Sequence, residues 1–571
     1  MHGRLLLLST GSRTLDQLFL HVQGTFDRLI RRLRRGGRPE RVRRRLVVVQ
    51  IDGLSRTVFD RALAEGHMPF VAKMLAKGRH RLHPMSVGMP TSTPAFQMAA
   101  MYGVQPDIPG FHYHDKHRRA DIHFPRAGHA ADVEASHVED RVGILRGGSV
   151  YGCVFTGGAE NDFFSFARLT RPSGPGVVRV LSGFVVVGWV ALKGVCQTAG
   201  VLLLFLARCL VHPHGAGRRW QWTKIKVGVS VWVRQFFTAQ VARDLYDGVP
   251  VIYVNYLDHD VAAHAFGPQD RAAFRALEFV DRSIRQIGRI LRRVPEHQYD
   301  LYILSDHGQA QSKSFAELTA GKPLERLLFD ELLDPAHLER HPAPKDKPAG
   351  FAHGFMAYHI GRTGLGRRVM ARIDRESARG LDEREAHERG GVRVISAGPN
   401  AFLYIVDAAE PLPIEEIDRR FPGLASRISA NRGVGFVLAR SEKGPVYFWR
   451  GARYELGGAQ QQPFDGREDR DLVLRDLATL MAMPSAGDLV IYGTGALEGN
   501  VSYIPELGAH AGPSPDELHT FIVAPSGVTV PAITHPIQLY DLFIAYQEPD
   551  ADHGRELSSQ PQIQPNVQMR Q

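Results

Sequence analysis

Three short apolar runs each stop at an acidic residue. Leu46–Ile51 (LVVVQI) ends at Asp52-Gly53, Pro250–Leu257 (PVIYVNYL) ends at Asp258, and Tyr299–Leu304 (YDLYIL) ends at Ser305-Asp306-His307-Gly308. Continuous apolar runs of this length, without polar alternation, suit strands buried on both faces of a parallel sheet. An amphipathic pattern over Asp270–Arg293 puts Phe274, Leu277, Val280, Ile284, Ile287 and Leu291 on one face and predicts a helix. Strands alternating with helices predict a doubly wound, mostly parallel central sheet flanked by helices, with inserted subdomains. Ligands in such sheets bind at the carboxyl ends of the strands. The acidic residues ending these runs therefore converge on one rim.

The 571 residues are 44% hydrophobic and 23% charged, ordinary for a globular chain, and their net charge is +10. Residues 1–45 hold twelve Arg against Asp16, Asp27 and Glu40, a balance of +9. The body is thus nearly neutral, which argues against a basic face built to grip nucleic acid. Cys153, Cys196 and Cys209 offer neither a disulfide framework nor a CxxC zinc clip, so any metal must be held by His and carboxylates.

Residues 13–34 repeat apolar positions at spacings of three and four, with arginines crowding the C-terminal half. This reads either as a docked helix with a solvated basic tail or as an anchor on an anionic membrane surface. The Leu5–Leu8 run is too short for a signal-peptide core. A second apolar stretch, 180–211, has basic flanks and is long enough to span a bilayer, which takes about 20 residues. One crossing would separate motifs lying on both sides of it. The reading favoured here is a membrane-contacting hairpin broken near Lys193–Gly194, on the cytoplasmic face; the alternative is a buried helical pair. The domain expectation is a basic arm (1–45), a catalytic body (46–546) with an insertion at 115–240 and an accessory subdomain at about 390–460, and a polar tail (547–571). In the subdomain, Ala401–Val406 reads as a strand, Ile414–Ile428 as a helix, and Gly435–Ala439 with Val446–Arg450 as a hairpin.

The polar residues at the strand ends form an ordered set. Asp52-Gly53 comes first, then Pro90-Thr91-Ser92-Thr93, with Gly103 ten residues beyond Thr93. Asp260-x-x-x-His264-x-x-Gly267-Pro268 follows, then Asp306-His307-Gly308, then Gly508-Ala509-His510. Asp and His supply the donors that zinc and similar divalent ions accept. Asp260 and His264, four apart, share a face over one helical turn.

This set resembles the alkaline phosphatase superfamily, most closely its type I phosphodiesterase/nucleotide pyrophosphatase branch, over roughly 46–115, 249–310 and 500–525. The resemblance implies that Thr93 is the nucleophile and forms a phospho-threonine intermediate. It implies that Asp52, Thr93, Asp306 and His307 hold one divalent ion, and that Asp260, His264 and His510 hold a second. Zinc fits best, with manganese or iron possible on the same ligands. The implied activity is phosphodiester hydrolysis, with a phosphate-ester substrate such as a nucleotide or lipid phosphodiester. The alternatives are a phosphomonoesterase of the same superfamily and an inactive membrane-docking protein on the same fold.

Three positions depart from the family pattern. His114 stands where an Asn about twenty-one residues beyond the nucleophile binds phosphoryl oxygen, and is taken as the substrate-binding residue; Pro109 replaces a His, and Ala511 a Gly. His519 is the fallback ligand; Thr91 and Ser92 are fallback nucleophiles. A sulfatase would need a Cys/Ser-x-Pro-x-Arg stretch, and Thr93-Pro94-Ala95-Phe96-Gln97 has none.

Overall fold

The computed structural model describes residues 44–547 apart from 125–126, 139–140, 169–183, 212–214, 334–386, 390 and 460–461. The basic arm at 13–34, the tail beyond 547, and His353 and His359 lie outside the described residues.

The three apolar runs form the centre of a seven-stranded sheet. Its strands are β1 (Arg45–Ile51), β2 (His80–Ser86), β3 (Ser149–Tyr151), β4 (Asn161–Phe164), β5 (Val251–Tyr256) and β6 (Tyr299–Leu304). The seventh, His519–Pro525, closes the order β2, 519–525, β6, β1, β5, β3, β4. β1 pairs in parallel with β5 and with β6, Gln50 lying beside Asn255 and Leu304, so the three acidic ends share one rim. Only 519–525 runs against the other strands, pairing antiparallel with both β2 and β6. β3 and β4 come from inside the stretch read as an insertion, so part of 115–240 belongs to the main sheet.

Both faces of the sheet are covered, as the uninterrupted apolar runs require. Leu46 and Val48 join one core with Phe96, Met98 and Tyr102 of helix α1 (Thr93–Tyr102). Val47, Val49 and Ile51 join the opposite core, against which four successive helical elements are placed. Helix α2 (Phe184–Val211) runs first; helix α3 (Ala216–Ile225), a π-helical stretch (Lys226–Val233) and helix α4 (Arg234–Asp247) then continue as one rod. Helix α5 (Asp258–Phe266) follows β5. Helix α6 (Arg271–Leu291) starts at Asp270, whose side chain accepts from the Ala272 amide, and buries Leu277, Val280, Ile284 and Ile287. This matches the face read from the sequence.

α2 is one unbroken helix of 28 residues, not a hairpin broken at Lys193–Gly194. Gly194 is a packing position: a Cβ there would sit 3.2 Å from the Trp232 ring. The helix tolerates the glycine because the close contact with Trp232 offsets its weak helix propensity, a cost of about 1 kcal/mol.

A second, antiparallel sheet runs from 387 to 492 and takes a central strand, Leu489–Tyr492, from beyond 460. Strand Asn400–Ile405 sends Phe402 and Tyr404 to the core under α1, and Ala401, Leu403 and Ile405 to a third core. Pro422-Gly423 divides the expected helix 414–428 into Ile414–Arg420 and Leu424–Ser429, with Gly423 at φ +65°. Phe436–Ala439 and Val446–Trp449 pair as the hairpin read from the sequence.

A buried ion pair ties this sheet to the hairpin His112–Asp115/Ala120–His123. Lys116 Nζ lies 2.8 Å from Asp488 Oδ2 and donates to the Glu410 carbonyl at 3.1 Å, while Asp488 also accepts from the Ile405 and Leu412 amides. Removing one partner of a buried pair strands the other charge, which costs about 3–5 kcal/mol. Lys116→Ala should therefore lower the unfolding free energy by that amount, read as a lower urea midpoint in an equilibrium unfolding experiment, whereas exposed Lys77→Ala should leave the midpoint within experimental error.

Candidate metal centre

Each expected ligand reaches the rim from a different element. Asp52 follows β1 directly, and Gly53 (φ +69°) turns the chain there. A Cβ on Gly53 would lie 2.7 Å from Asp260 Oδ1, so the close approach of these two loops requires glycine. Asp306 and His307 follow β6. Gly308 lets that turn pass, since a Cβ there would collide with the Asp516 carbonyl. Asp260 and His264 sit one turn apart on α5, and His510 arrives from the loop before 519–525. Thr93 is the first residue of α1, whose N-terminus favours negative charge.

These side chains meet. Thr93 Oγ lies 3.2 Å from His307 Nε2 and 3.5 Å from Asp52 Oδ1. His307 Nε2 is 3.5 Å from both Asp52 Oδ1 and Asp306 Oδ2. On the other side, Asp260 Oδ1 is 3.3 Å from His264 Nε2 and 3.8 Å from His510 Nε2. The His307 and His510 rings stack at 3.8 Å, which joins the two groups. Ligand atoms of Asp52, Asp306 and His307 all fall within 4.8 Å of one another, as do those of Asp260, His307 and His510. His264 comes into the second group through Asp260.

The donor set fits cations on three grounds. First, the imidazoles are aimed. His264 Nδ1 lies 2.8 Å from both the Gly508 carbonyl and Glu506 Oε2, His307 Nδ1 lies 3.0 Å from the Gly308 carbonyl, and His510 Nδ1 lies 2.9 Å from the Thr91 carbonyl. A carbonyl can only accept, so each Nδ1 carries its proton and each Nε2 faces the carboxylates. Second, both oxygens of Asp306 are buried without a hydrogen-bond donor at bonding distance. A buried carboxylate so placed calls for a positive charge.

Third, the charges conflict in the absence of a cation. Burial and the charge of Asp260 push Asp306 up to about 7; burial and the charges of Asp306 and Asp260 push Asp52 well above the carboxylate range. Burial holds His307 near 4, and burial with the charges of His307 and His264 holds His510 near 3, so both rings are neutral. His264 goes the other way. Burial opposes its charge, but Asp260 and Glu506 outweigh burial and raise it well above its ordinary value. A bound cation would replace that proton.

The sequence reading missed the residues that hold the ligands. Asn255 Nδ2 donates to Asp52 Oδ2 at 2.5 Å, Gln309 Nε2 donates to Asp260 Oδ1 at 2.5 Å, and Glu506 braces His264. A signal was present in Asn255, a polar residue inside an apolar strand one step from its end.

Other candidates lie elsewhere. His114 is buried on the 112–123 hairpin, with Nδ1 2.8 Å from Asp121 Oδ1 and 3.0 Å from Arg393 Nη1; its side-chain contacts run to Asp121, Arg393 and Tyr404 and none joins the Thr93 cluster. His519 Nε2 pairs with Asp469 Oδ2 at 2.8 Å. Thr91 is a strut: its Oγ donates to the Gly512 carbonyl and accepts from the Ala511 amide, both at 3.0 Å. Ala511 takes φ +113°, a region costly for a residue with a Cβ, so the Gly-to-Ala departure carries strain.

Residues 211–347 match the type I phosphodiesterase / nucleotide pyrophosphatase family model. That is a family of phosphoester hydrolases, and the matched segment carries Asp260, His264, Asp306 and His307. The resemblance read from the spacing and the family match name the same branch. Among solved structures the chain is similar to phosphonoacetate hydrolase from Sinorhizobium meliloti in complex with phosphonoformate, at 14% identity and TM-score 0.45, covering 90% of this chain and 98% of that one. It is also similar to murine ectonucleotide pyrophosphatase/phosphodiesterase 5 in complex with AMP, at 10% identity and TM-score 0.42, covering 88% and 94%. No match was found among curated protein sequences.

Two measurements probe this arrangement. Glu506→Ala should weaken zinc binding about 10-fold or more by calorimetric titration, because partners that orient ligands typically contribute 10–100-fold. Ala511→Gly should raise thermal stability by about 1 kcal/mol through relief of the positive φ; an unchanged melting temperature would show that the loop relaxes without it.

Proposed function

We propose that the chain is a metal-dependent phosphodiesterase that works through Thr93 on two divalent ions, zinc by the chemistry of its His and carboxylate donors. The observation that carries this reading is the Thr93 hydroxyl placed against Asp52 and His307, with Asp260, His264 and His510 across the stacked imidazoles. Asp52, Thr93, Asp306 and His307 would hold one ion and Asp260, His264 and His510 the other. Bound there, the pair would ease ionisation of the Thr93 hydroxyl and offset charge on the phosphoryl and leaving oxygens.

The chain's own residues then do the following. Thr93 Oγ attacks phosphorus in line, the P–O bond to the leaving alcohol breaks, and phospho-Thr93 forms. Water attacks the same phosphorus and returns Thr93 and the phosphate monoester. Asn255 and Gln309 fix the carboxylates, and the three Nδ1–H donors fix the rings, so little reorganisation accompanies the charge shift. Asn255 and Gln309 position; Thr93 is the catalytic residue.

The substrate reading is a phosphodiester of a nucleotide or a lipid, with the protein held at a membrane surface. His114 is held by Asp121 and Arg393, so it enters this reading as a support for the 112–123 hairpin.

Hydrolysis of bis-(p-nitrophenyl) phosphate should exceed that of p-nitrophenyl phosphate, stop with chelator, return with zinc or manganese, and fall by about 10³-fold or more in Thr93→Ala. Preference for the monoester would make the protein a phosphatase on the same site. Turnover that survives Thr93→Ala would remove the covalent route.

A further inference from the structure

The helical layer that packs behind α5 carries a surface that the candidate metal centre does not use. α2 lies along the rod of α3, the π-helical stretch and α4. Val190 enters the core, Thr198 accepts from Trp232 Nε1 at 3.1 Å, and Phe205 meets Trp220 at 5.2 Å between ring centroids. The helix is therefore strapped to the body along its length. Its outer face stays bare. Leu192, Val195, Leu203, Leu206 and Leu210 are exposed, Leu203 by 67% and Leu210 by 86%. An apolar stripe of this length on a soluble surface marks an interaction site. Trp220 and Trp232, both exposed, flank it, as tryptophans do at a membrane–water boundary.

Cations gather beside the stripe. Lys226 Nζ lies 5.7 Å from the centre of the Phe279 ring, with Arg282 and Arg234 guanidiniums at 5.1 and 5.6 Å from the same ring. Arg234 is neutralised by Asp258 at 3.1 Å, and Arg282 approaches Glu278 at 3.5 Å. For Lys226, Arg275 and Arg208, no carboxylate among the described residues makes an ion pair. Burial, then the charges of Arg208, Arg275 and Arg282, lower the Lys226 ammonium from its ordinary value, which reports uncompensated positive charge in a partly dry setting. A second copy of the chain would cover the leucines but bring the same cations with it. A bilayer with anionic headgroups satisfies both halves at once: acyl chains for the leucines and phosphates for the cations.

We propose that the exposed face of α2 docks the protein flat on a membrane surface, and that Lys226, which lies over the Phe279 ring, forms with the neighbouring Arg275 and Arg208 the site for an anionic phospholipid headgroup. The site also sits close to the metal centre in the fold. Trp222 of α3 packs against Ala262 and Ala263 of α5, the helix that presents Asp260 and His264, and Arg218 stacks over Phe266 at 5.0 Å. Docking does not rest on the hydrolase reading, and its test needs no turnover.

The full chain is sedimented with vesicles of phosphatidylcholine alone and of phosphatidylcholine mixed with phosphatidylglycerol. Binding should favour the mixed vesicles, and the double variant Lys226→Gln/Arg275→Gln, which leaves the N-terminal arginines intact, should weaken it about 30-fold (two charges at about 1 kcal/mol each). Leu203→Asp/Leu206→Asp should abolish binding to either vesicle. Unchanged melting temperatures, and unchanged hydrolysis of bis-(p-nitrophenyl) phosphate in solution where the wild type turns it over, show that the variants fold. Because Lys226 is partly buried, Arg275→Gln alone, at an exposed position, gives an independent reading and should weaken binding about 5-fold. Equal binding to both vesicles, wild-type binding by the charge variants, release by millimolar inorganic phosphate, or a dimer held by α2 in place of vesicle binding would each overturn the proposal.

Discussion

Three carboxylates that cannot all be charged together set the terms for this structure. Asp52, Asp260 and Asp306 converge at one rim, the first and last of them buried, with two neutral imidazoles among them and one that takes a proton. Bringing acids together in this way costs free energy in a low-dielectric setting. The fold supports it by fixing the surroundings. Asn255 and Gln309 donate to two of the carboxylates, and backbone carbonyls hold each ring by its Nδ1. The remaining deficit is positive charge, which the two proposed divalent ions would supply.

The main sheet makes this convergence possible. Parallel pairing of β1 with β5 and β6 brings residues far apart in sequence to one edge, and the glycines at 53 and 308 let the loops close to contact distance. The loop with His510 is held by Thr91, whose backbone carbonyl accepts from the ring and whose hydroxyl bonds the Ala511 amide and Gly512 carbonyl. The segment before α1 therefore does two jobs: it presents Thr93 and positions a histidine more than four hundred residues away. Helix α5, which carries Asp260 and His264, packs against α3, so the apolar surface and the candidate site belong to one packed unit.

Much of the centre was legible in the sequence because its parts are local. Apolar runs ending in Asp, an Asp and a His four apart, and Asp-His-Gly after a strand each state their own geometry. The supports were not legible in this way. Glu506 and Gln309 look like ordinary loop residues until the chain brings them to His264 and Asp260. His114 was reached by a count of residues from Thr93, and that count did not reveal that pairing of 112–115 with 120–123 sets its ring beside Asp121 and Arg393. Counting works along a strand or helix and loses meaning across a hairpin.

The sequence by itself determined the strand core, the amphipathic face of α6, the order of ligand types and the apolar character of 184–211, because each depends on side chains adjacent in the chain or on one period. Tertiary structure alone decided that β3 and β4 belong to the main sheet, that α2 runs unbroken across Gly194, that the second sheet borrows 489–492, and that cations collect around Phe279. Those outcomes rest on contacts between segments tens to hundreds of residues apart. They arise from burial and close approach in three dimensions, which no local pattern encodes.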